Sequence, residues 1–249
     1  MNNRLLVIVY WVLAMVVGLA GCQQKQREEP IVLNREPNFA EIRVPLGYET
    51  QAFETTGGLN LWKQKTKIQL DCVVTFYQPD GSYYLTQQQY IIYPWSDSIE
   101  IYGREPLGEF TWRLSLGQFE VLRGSRQVTN IISPFNNQCF AEAILNIVTA
   151  PVRLLDRSVE FTREANPIRI EGQWYYRINR RRKSNIESIL RIPHAVFYQN
   201  RDTTIIDTLS IACLSGNRFL TVRGYDYSPL KEKDIIIPHR INLFIADSE

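Results

Sequence analysis

The chain of 249 residues carries 28 Lys and Arg against 26 Asp and Glu, a formal charge of only +2. That near-neutrality excludes the strongly basic balance expected of a nucleic-acid-binding protein. The length leaves room for one large domain or two small ones once a leader is set aside.

The leader comes first. Arg4 supplies a positive start, residues 5–17 are apolar, and Leu19-Ala20-Gly21-Cys22 follows. This order predicts a secretory signal peptide over residues 1–21. The last four residues resemble the bacterial lipobox, in which the cysteine is acylated and becomes the new N-terminus after cleavage. A simple transmembrane anchor is the alternative, but the apolar stretch is shorter than the ~20 residues needed to span a bilayer. It also leaves Cys22 unexplained. Each buried methylene contributes about 0.8 kcal/mol, and two or more acyl chains on Cys22 anchor a protein without any spanning helix. Gln23, not Asp, follows the cysteine, which by analogy with sorting signals favours the outer membrane, facing the periplasm. Residues 22–38 are polar, charged and interrupted by Pro30 and Pro37, a flexible tether. Residues 39–249 then form a single domain.

That domain opens with a helical stretch around Leu46 to Gln64, broken at Gly57-Gly58. The chain then turns to period two. Ile68, Leu70, Cys72, Val74 and Phe76 point one way, Gln69, Asp71, Thr75 and Tyr77 the other, and only Val73 breaks the alternation. Pro79-Asp80-Gly81-Ser82 supplies a turn into a second strand, Tyr83–Tyr93. Phe110, Trp112, Leu114 and Leu116 alternate with Thr111, Arg113 and Ser115, another half-buried strand. Further strands are predicted near 98–103, 118–123, 158–163, 168–179, 187–198, 203–213, 218–226 and 235–246, with a tight turn at Gly216-Asn217. Between them the period changes. Phe140, Ile144, Ile147 and Val148 recur at helical spacing within 136–155, an amphipathic helix that Pro151 should kink. The sum is an α+β fold, mostly antiparallel, with a few helices laid against one side of a long sheet.

Chemistry-bearing motifs are sparse. The run Arg177, Arg180, Arg181, Arg182, Lys183 reads as a solvated hairpin loop rather than a site for anionic headgroups. Two histidines, His194 and His239, each follow an Ile-Pro pair. His239 shares its expected strand face with Ile237 and Ile241, which reads as a core or pocket-edge residue. No metal-ligand spacing is present, and there is no nucleophile elbow, phosphate loop or His-Glu-x-x-His. Asp97, Glu100, Glu105 and Glu109 stand at strand ends. No catalytic residue, cofactor or metal is assigned, and a tethered hydrolase is the weakest of the readings. With Cys22 committed to lipid, Cys72, Cys139 and Cys213 remain, so at most one disulfide forms within a monomer. Buried small hydrophobes are expected at all three. The aromatic residues are more informative. Phe110, Trp112 and Leu114 share one strand face, and Trp174 and Tyr176 another, so they can either wall an apolar cavity or fill a core.

Several of these segments resemble the LolA-like envelope proteins. They are Gly57-Gly58-Leu59-x-x-Trp62 followed by a strand and an Asp-Gly hairpin, then Gly172-Gln173-Trp174-Tyr175-Tyr176, Val196-Phe197-Tyr198 and Asp202-Thr203-Thr204-Ile205-Ile206-Asp207. Tyr225 and the strand entry Ile237-Pro238-x-x-Ile241 close the series. The resemblance spans roughly residues 45–246. It implies a curved antiparallel half-barrel with helices packed on its concave side, enclosing a hydrophobic cavity for acyl chains or lipoproteins. The LolA, LolB and RseB-type members are carriers, acceptors or sensors of this kind. A lipobox is closer to the anchored acceptor LolB, although no counterpart of its protruding apolar loop, nor of a LolA-type arginine latch, can be assigned. The expected partners are therefore a membrane through Cys22, an apolar ligand or lipoprotein acyl chains, and other envelope proteins, with no nucleic acid. The expected ligand-binding residues are Phe110, Trp112, Leu114, Trp174 and Tyr176. A solid-core envelope lipoprotein that engages a partner through its surface is the alternative.

Overall fold

The computed structural model describes residues 44–78, 80–105, 108–115, 117–123, 137–156, 159–182, 194–212 and 218–247. The signal peptide, Cys22, the tether, Pro79, Cys213 and the Gly216-Asn217 turn lie outside the described residues.

The first helical stretch is two short helices, α1 (Tyr48–Thr55) and α2 (Leu59–Lys63). Gly57 and Gly58 separate them at φ 107° and 89°, conformations that glycine adopts at no steric cost. Gly57 has a second reason. A Cβ there would stand 3.2 Å from the Ile235 Cα, because the C-terminal part of the chain closes onto this turn. The Ile236 N–H donates to the Thr56 carbonyl at 3.0 Å, and Lys65 pairs with Asp234 at 2.7 Å.

Five strands then run up and down as an antiparallel meander, β1 (Ile68–Tyr77), β2 (Tyr83–Tyr93), β3 (Ser98–Glu105), β4 (Gly108–Ser115) and β5 (Gln118–Arg123). The alternation read from β1 holds. Ile68 and Phe76 are buried, whereas Val73, the residue that broke the pattern, is 70% exposed. Its register partner is Gln87 on the outward face of β2.

Two helices follow, α3 (Asn137–Val148) and α4 (Ala150–Arg153), with the break at Thr149 just ahead of Pro151. The rest of the chain builds a seven-stranded antiparallel sheet from β6 (Val159–Arg163), β7 (Ile168–Ile170), β8 (Gln173–Arg182), β9 (His194–Asn200), β10 (Ile206–Ala212), β11 (Arg218–Tyr225) and β14 (Arg240–Asp247). Both β6 and β7 pair along one edge of β8. A small pair, β12 (Ser228–Pro229) with β13 (Ile236–Ile237), stands apart.

The α+β class and the open, mostly antiparallel sheets are as the sequence predicts. Two boundaries differ, each for a backbone reason. The strand expected over 168–179 is a hairpin. Glu171 and Gly172 both have positive φ, 47° and 86°, and form its two-residue turn between the paired Ile170 and Gln173, the geometry that matches strand twist. The strand expected over 235–246 is cut at Pro238, which cannot donate to a ladder. The residues before it pair with β12 and those after it with β11. His239 falls in this break and is exposed, with its N–H on the Tyr225 carbonyl, so it is not the core residue expected. The basic run, of which Lys183 lies outside the described residues, is not a loop from Arg177 to Arg182: these belong to strand β8, and the Arg180 side chain is almost fully buried.

The core lies between the two sheets. α3 packs against β3 and β4 on one side and β10 and β11 on the other, and all its residues but Gln138 are buried. Burial on all sides is matched by apolar residues on all sides, in the runs Cys139 to Ala141 and Ala143 to Leu145, with Asn137, Glu142 and Asn146 as buried polar exceptions. Cys139 is in a disulfide whose partner lies outside the described residues, a correction to the expectation of free buried thiols. Cys72 is free, and burial, helped by neighbouring Asp71, pushes its thiol up to about 11. Among the described residues no helix is long and apolar enough to cross a membrane.

Phe140, Ile144 and Ile147 are buried, as the helical period predicts. Ile147→Ala should therefore destabilise the protein by about 2–5 kcal/mol, the cost of a buried cavity. Denaturant unfolding measures this, and a loss below about half a kcal/mol would place α3 at the periphery of the stabilising core.

Candidate functional site

On β4, Phe110, Trp112 and Leu114 point to the same side, toward α3. Each belongs to a row that crosses the sheet. Ile101, Trp112 and Val121 form one, and Ile99, Leu114 and Phe119 the next. Opposite Phe110 stands Gly103, where a Cβ would lie 2.4 Å from the Phe110 ring. The missing side chain is what lets that ring lie flat over β3. Phe110 in turn stacks on Trp112 at 4.1 Å between centroids. The three expected wall residues thus form one continuous apolar strip, and they are only 1–3% exposed.

Trp174 and Tyr176 sit on the other sheet. They precede Ile178 on the same face of β8, and Ile178 starts a row through Phe197, Leu209, Val222 and Leu243. Tyr176 lies under the Arg163 guanidinium at 3.7 Å, with the Tyr48 ring 5.6 Å from the same group. Trp174 is 42% exposed at the end of the strand. The structure therefore brings Phe110, Trp112 and Leu114 together and leaves Trp174 and Tyr176 on the opposite sheet, with α3 between the sheets. A groove of about 640 Å³ opens mainly on the outward face of the first sheet; of the expected wall residues it touches Phe110, in the row with Cys72, Gln88 and Gly103, and neither Trp112 nor Leu114.

Sequence reading missed a charged cluster at one end of α3, in which Arg153, Arg180 and Glu142 are largely buried and Asp97 and Asp156 half-buried. Asp97, in the turn after β2, accepts from Arg153 of α4, which also reaches the Pro94 carbonyl. Arg180 of β8 lies 3.7 Å from Asp156. Glu142 of α3 completes the group and accepts from Gln138 at 3.0 Å, while its other carboxylate oxygen has no partner among the described residues. Burial, with repulsion from Asp97, pushes the Glu142 carboxyl up to about 7, against the hydrogen bond from Gln138 and the attraction of Arg180. The sequence signals were Asp97, noted at a strand end, and Glu142, the one charged residue of α3. Of the carboxylates noted at strand ends, Glu100 accepts from Tyr102 and from Arg113 at 3.1 and 3.2 Å. Among the described residues no group of three His, Cys, Asp or Glu could hold a metal ion.

Three solved structures are similar to this chain. A LolA superfamily protein from Nitrosomonas europaea aligns over 82% of this chain and 87% of its own, at 11% identity and a TM-score of 0.49. A DUF1329 family protein from Desulfovibrio piger covers 79% and 84%, at 9% identity and a TM-score of 0.43. An outer membrane lipoprotein-sorting protein domain from Vibrio parahaemolyticus covers 78% and 91%, at 10% identity and a TM-score of 0.33. The first belongs to the superfamily that the sequence resembles. At these values the likenesses assign no residue role and no activity to this chain. No family model matches the sequence, and no curated protein matches it.

The Glu142 environment has a measurable consequence. Its folded pKa stands above the unfolded value of 4.5, so its contribution is fully present below that value and is lost as pH rises through about 7. The shift corresponds to about 3 kcal/mol. Unfolding free energies between pH 5 and 8 should fall more steeply for the wild type than for Glu142→Gln, which keeps the Gln138 contact without the charge. Parallel profiles would show that Glu142 is ionised throughout.

Proposed function

We propose that this protein is a membrane-anchored extracytoplasmic lipoprotein, acylated on Cys22, that binds an acyl chain or another apolar ligand against the inner face of its first sheet. The observation that carries this reading is the strip of Phe110, Trp112 and Leu114 beneath α3. It is continuous, apolar and bordered by further apolar rows. Trp174 and Tyr176 sit at the end of the facing sheet, where a ligand entering between the sheets would meet them. The ligand has to take the place of part of α3, because the strip is covered. A role in lipoprotein trafficking at the outer membrane, facing the periplasm, fits the lipobox and Gln23. The second reading is an envelope interaction lipoprotein with a solid core. The near-complete burial of the same three residues favours it.

Two experiments decide. Metabolic labelling with a fatty-acid analogue should mark the wild type and not Cys22→Ser, and equal labelling of both would remove the anchor. Leu114→Asp should abolish binding of a fluorescent fatty acid to the non-acylated Cys22→Ser chain, because an unpaired charge on the wall must be desolvated. Leu114→Ala should only weaken it. Circular dichroism checks that each variant folds. If the folded parent binds no apolar probe, the carrier reading fails and the solid-core reading replaces it.

A further inference from the structure

The groove on the outward face of the first sheet has a different chemistry from the strip behind it. Asp71, Gln89, Tyr102 and Thr111 form one row across β1 to β4. Val73, Gln87, Arg104 and Glu109 form the wall beside it, with Val73 opposite Gln87 and Arg104 opposite Glu109. The groove therefore runs across the strands, over three inter-strand steps of ~4.8 Å, about 14 Å in all. Its volume of about 640 Å³ lies within the range of small-molecule sites.

We propose that this groove binds a short, neutral oligosaccharide. Its hydrogen-bonding inventory is the first reason. The Gln87 amide and the Arg104 guanidinium have no side-chain partner among the described residues, and Gln89 uses one amide hydrogen on Asp71 at 2.9 Å. Planar amides, carboxylates and guanidinium present pairs of donors and acceptors at fixed spacing, which suits the adjacent hydroxyls of a sugar ring. Tyr102 is held in place because its hydroxyl is tied to Glu100, leaving an aromatic surface in the floor of the groove.

The same residues exclude other ligands. Asp71 and Glu109 outnumber Arg104, so the lining carries a net negative charge and disfavours phosphates and acidic polymers. Among the outward side chains apolar surface is confined to Val73 and Tyr102, with Cys72, Gly103 and Phe110 lining the groove between the two rows, so it offers no continuous apolar wall like the inner strip. An extended peptide lying across the strands would find the main-chain groups of β2, β3 and β4 already committed to their ladders. It would lose the backbone bonding on which strand addition depends. A hydroxyl-rich neutral ligand needs none of that.

Isothermal titration calorimetry tests the proposal on the full chain, held in a detergent without a sugar headgroup. Chitohexaose and maltohexaose are titrated separately, with a lysine-rich peptide in parallel. At least one of the two sugars should bind saturably, and the double variant Gln87→Ala with Gln89→Ala should weaken that binding about tenfold or more. Both residues lie on the outward face, and circular dichroism checks the fold. No heat from either sugar overturns the proposal. Binding that survives the double variant also overturns it, because the sugar then sits elsewhere. Saturable binding of the lysine-rich peptide alone gives the groove to a cationic peptide. None of these results bears on the apolar inner face, so the two readings stand or fall separately.

Discussion

Everything in this fold depends on one helix being buried from all sides. α3 has a sheet on each flank, so it can offer no polar face to solvent. Ala141 and Ala143 keep it slim where the sheets approach, and Phe140 fills the wider end, 6.1 Å from the Phe76 ring and 6.4 Å from Tyr90. The inner faces of both sheets are apolar because α3 stands there. Without it the rows through Trp112 and Leu209 would both face water. An exposed patch of that size is rare on a monomer.

Against that background the charged cluster at the end of α3 is an expense, and stability does not account for it. Desolvating two arginines and three carboxyl groups costs free energy that their mutual attraction recovers only with good geometry. What the cluster does achieve is connection. Arg153 ties the short α4 to the turn after β2, through Asp97 and the Pro94 carbonyl. Asp156 reaches Arg180 on the second sheet. Hydrophobic packing alone tolerates sliding of a helix along a sheet. Directional bonds from Arg153 and Asp156 fix where α4 and the residues after it sit along β2 and β8.

How much of this was legible in the sequence follows from the kind of signal each feature leaves. The strands with one buried face were readable because their alternation is local, as in β1 and β4. The helix was readable from its period. Its flanking by two sheets was not, although the apolar residues on its second face were a hint. The hairpin at Glu171-Gly172 was hidden because glutamate seldom adopts positive φ. His239 was misplaced by extending a period through Pro238. Phe110, Trp112 and Leu114 were correctly put on one face, but whether a face walls a cavity or fills a core is decided by what covers it. That covering helix comes from about 30 residues downstream, beyond any local pattern. The charged cluster joins four elements distant in sequence and leaves no pattern at all.

The two faces of the first sheet impose different thermodynamics on any ligand. The outward groove is open, so occupancy there costs only the ordering of the ligand and a few side chains. The inner strip is already covered by α3. An apolar ligand gains roughly 25 cal/mol per Å² of its own buried area, but each part of α3 that it displaces gives up burial at the same rate. The apparent affinity is therefore the intrinsic one reduced by the fraction of molecules in which α3 stands away from β4. On the carrier reading, loosening α3 against β4 would therefore raise ligand affinity and lower the stability of the empty protein together.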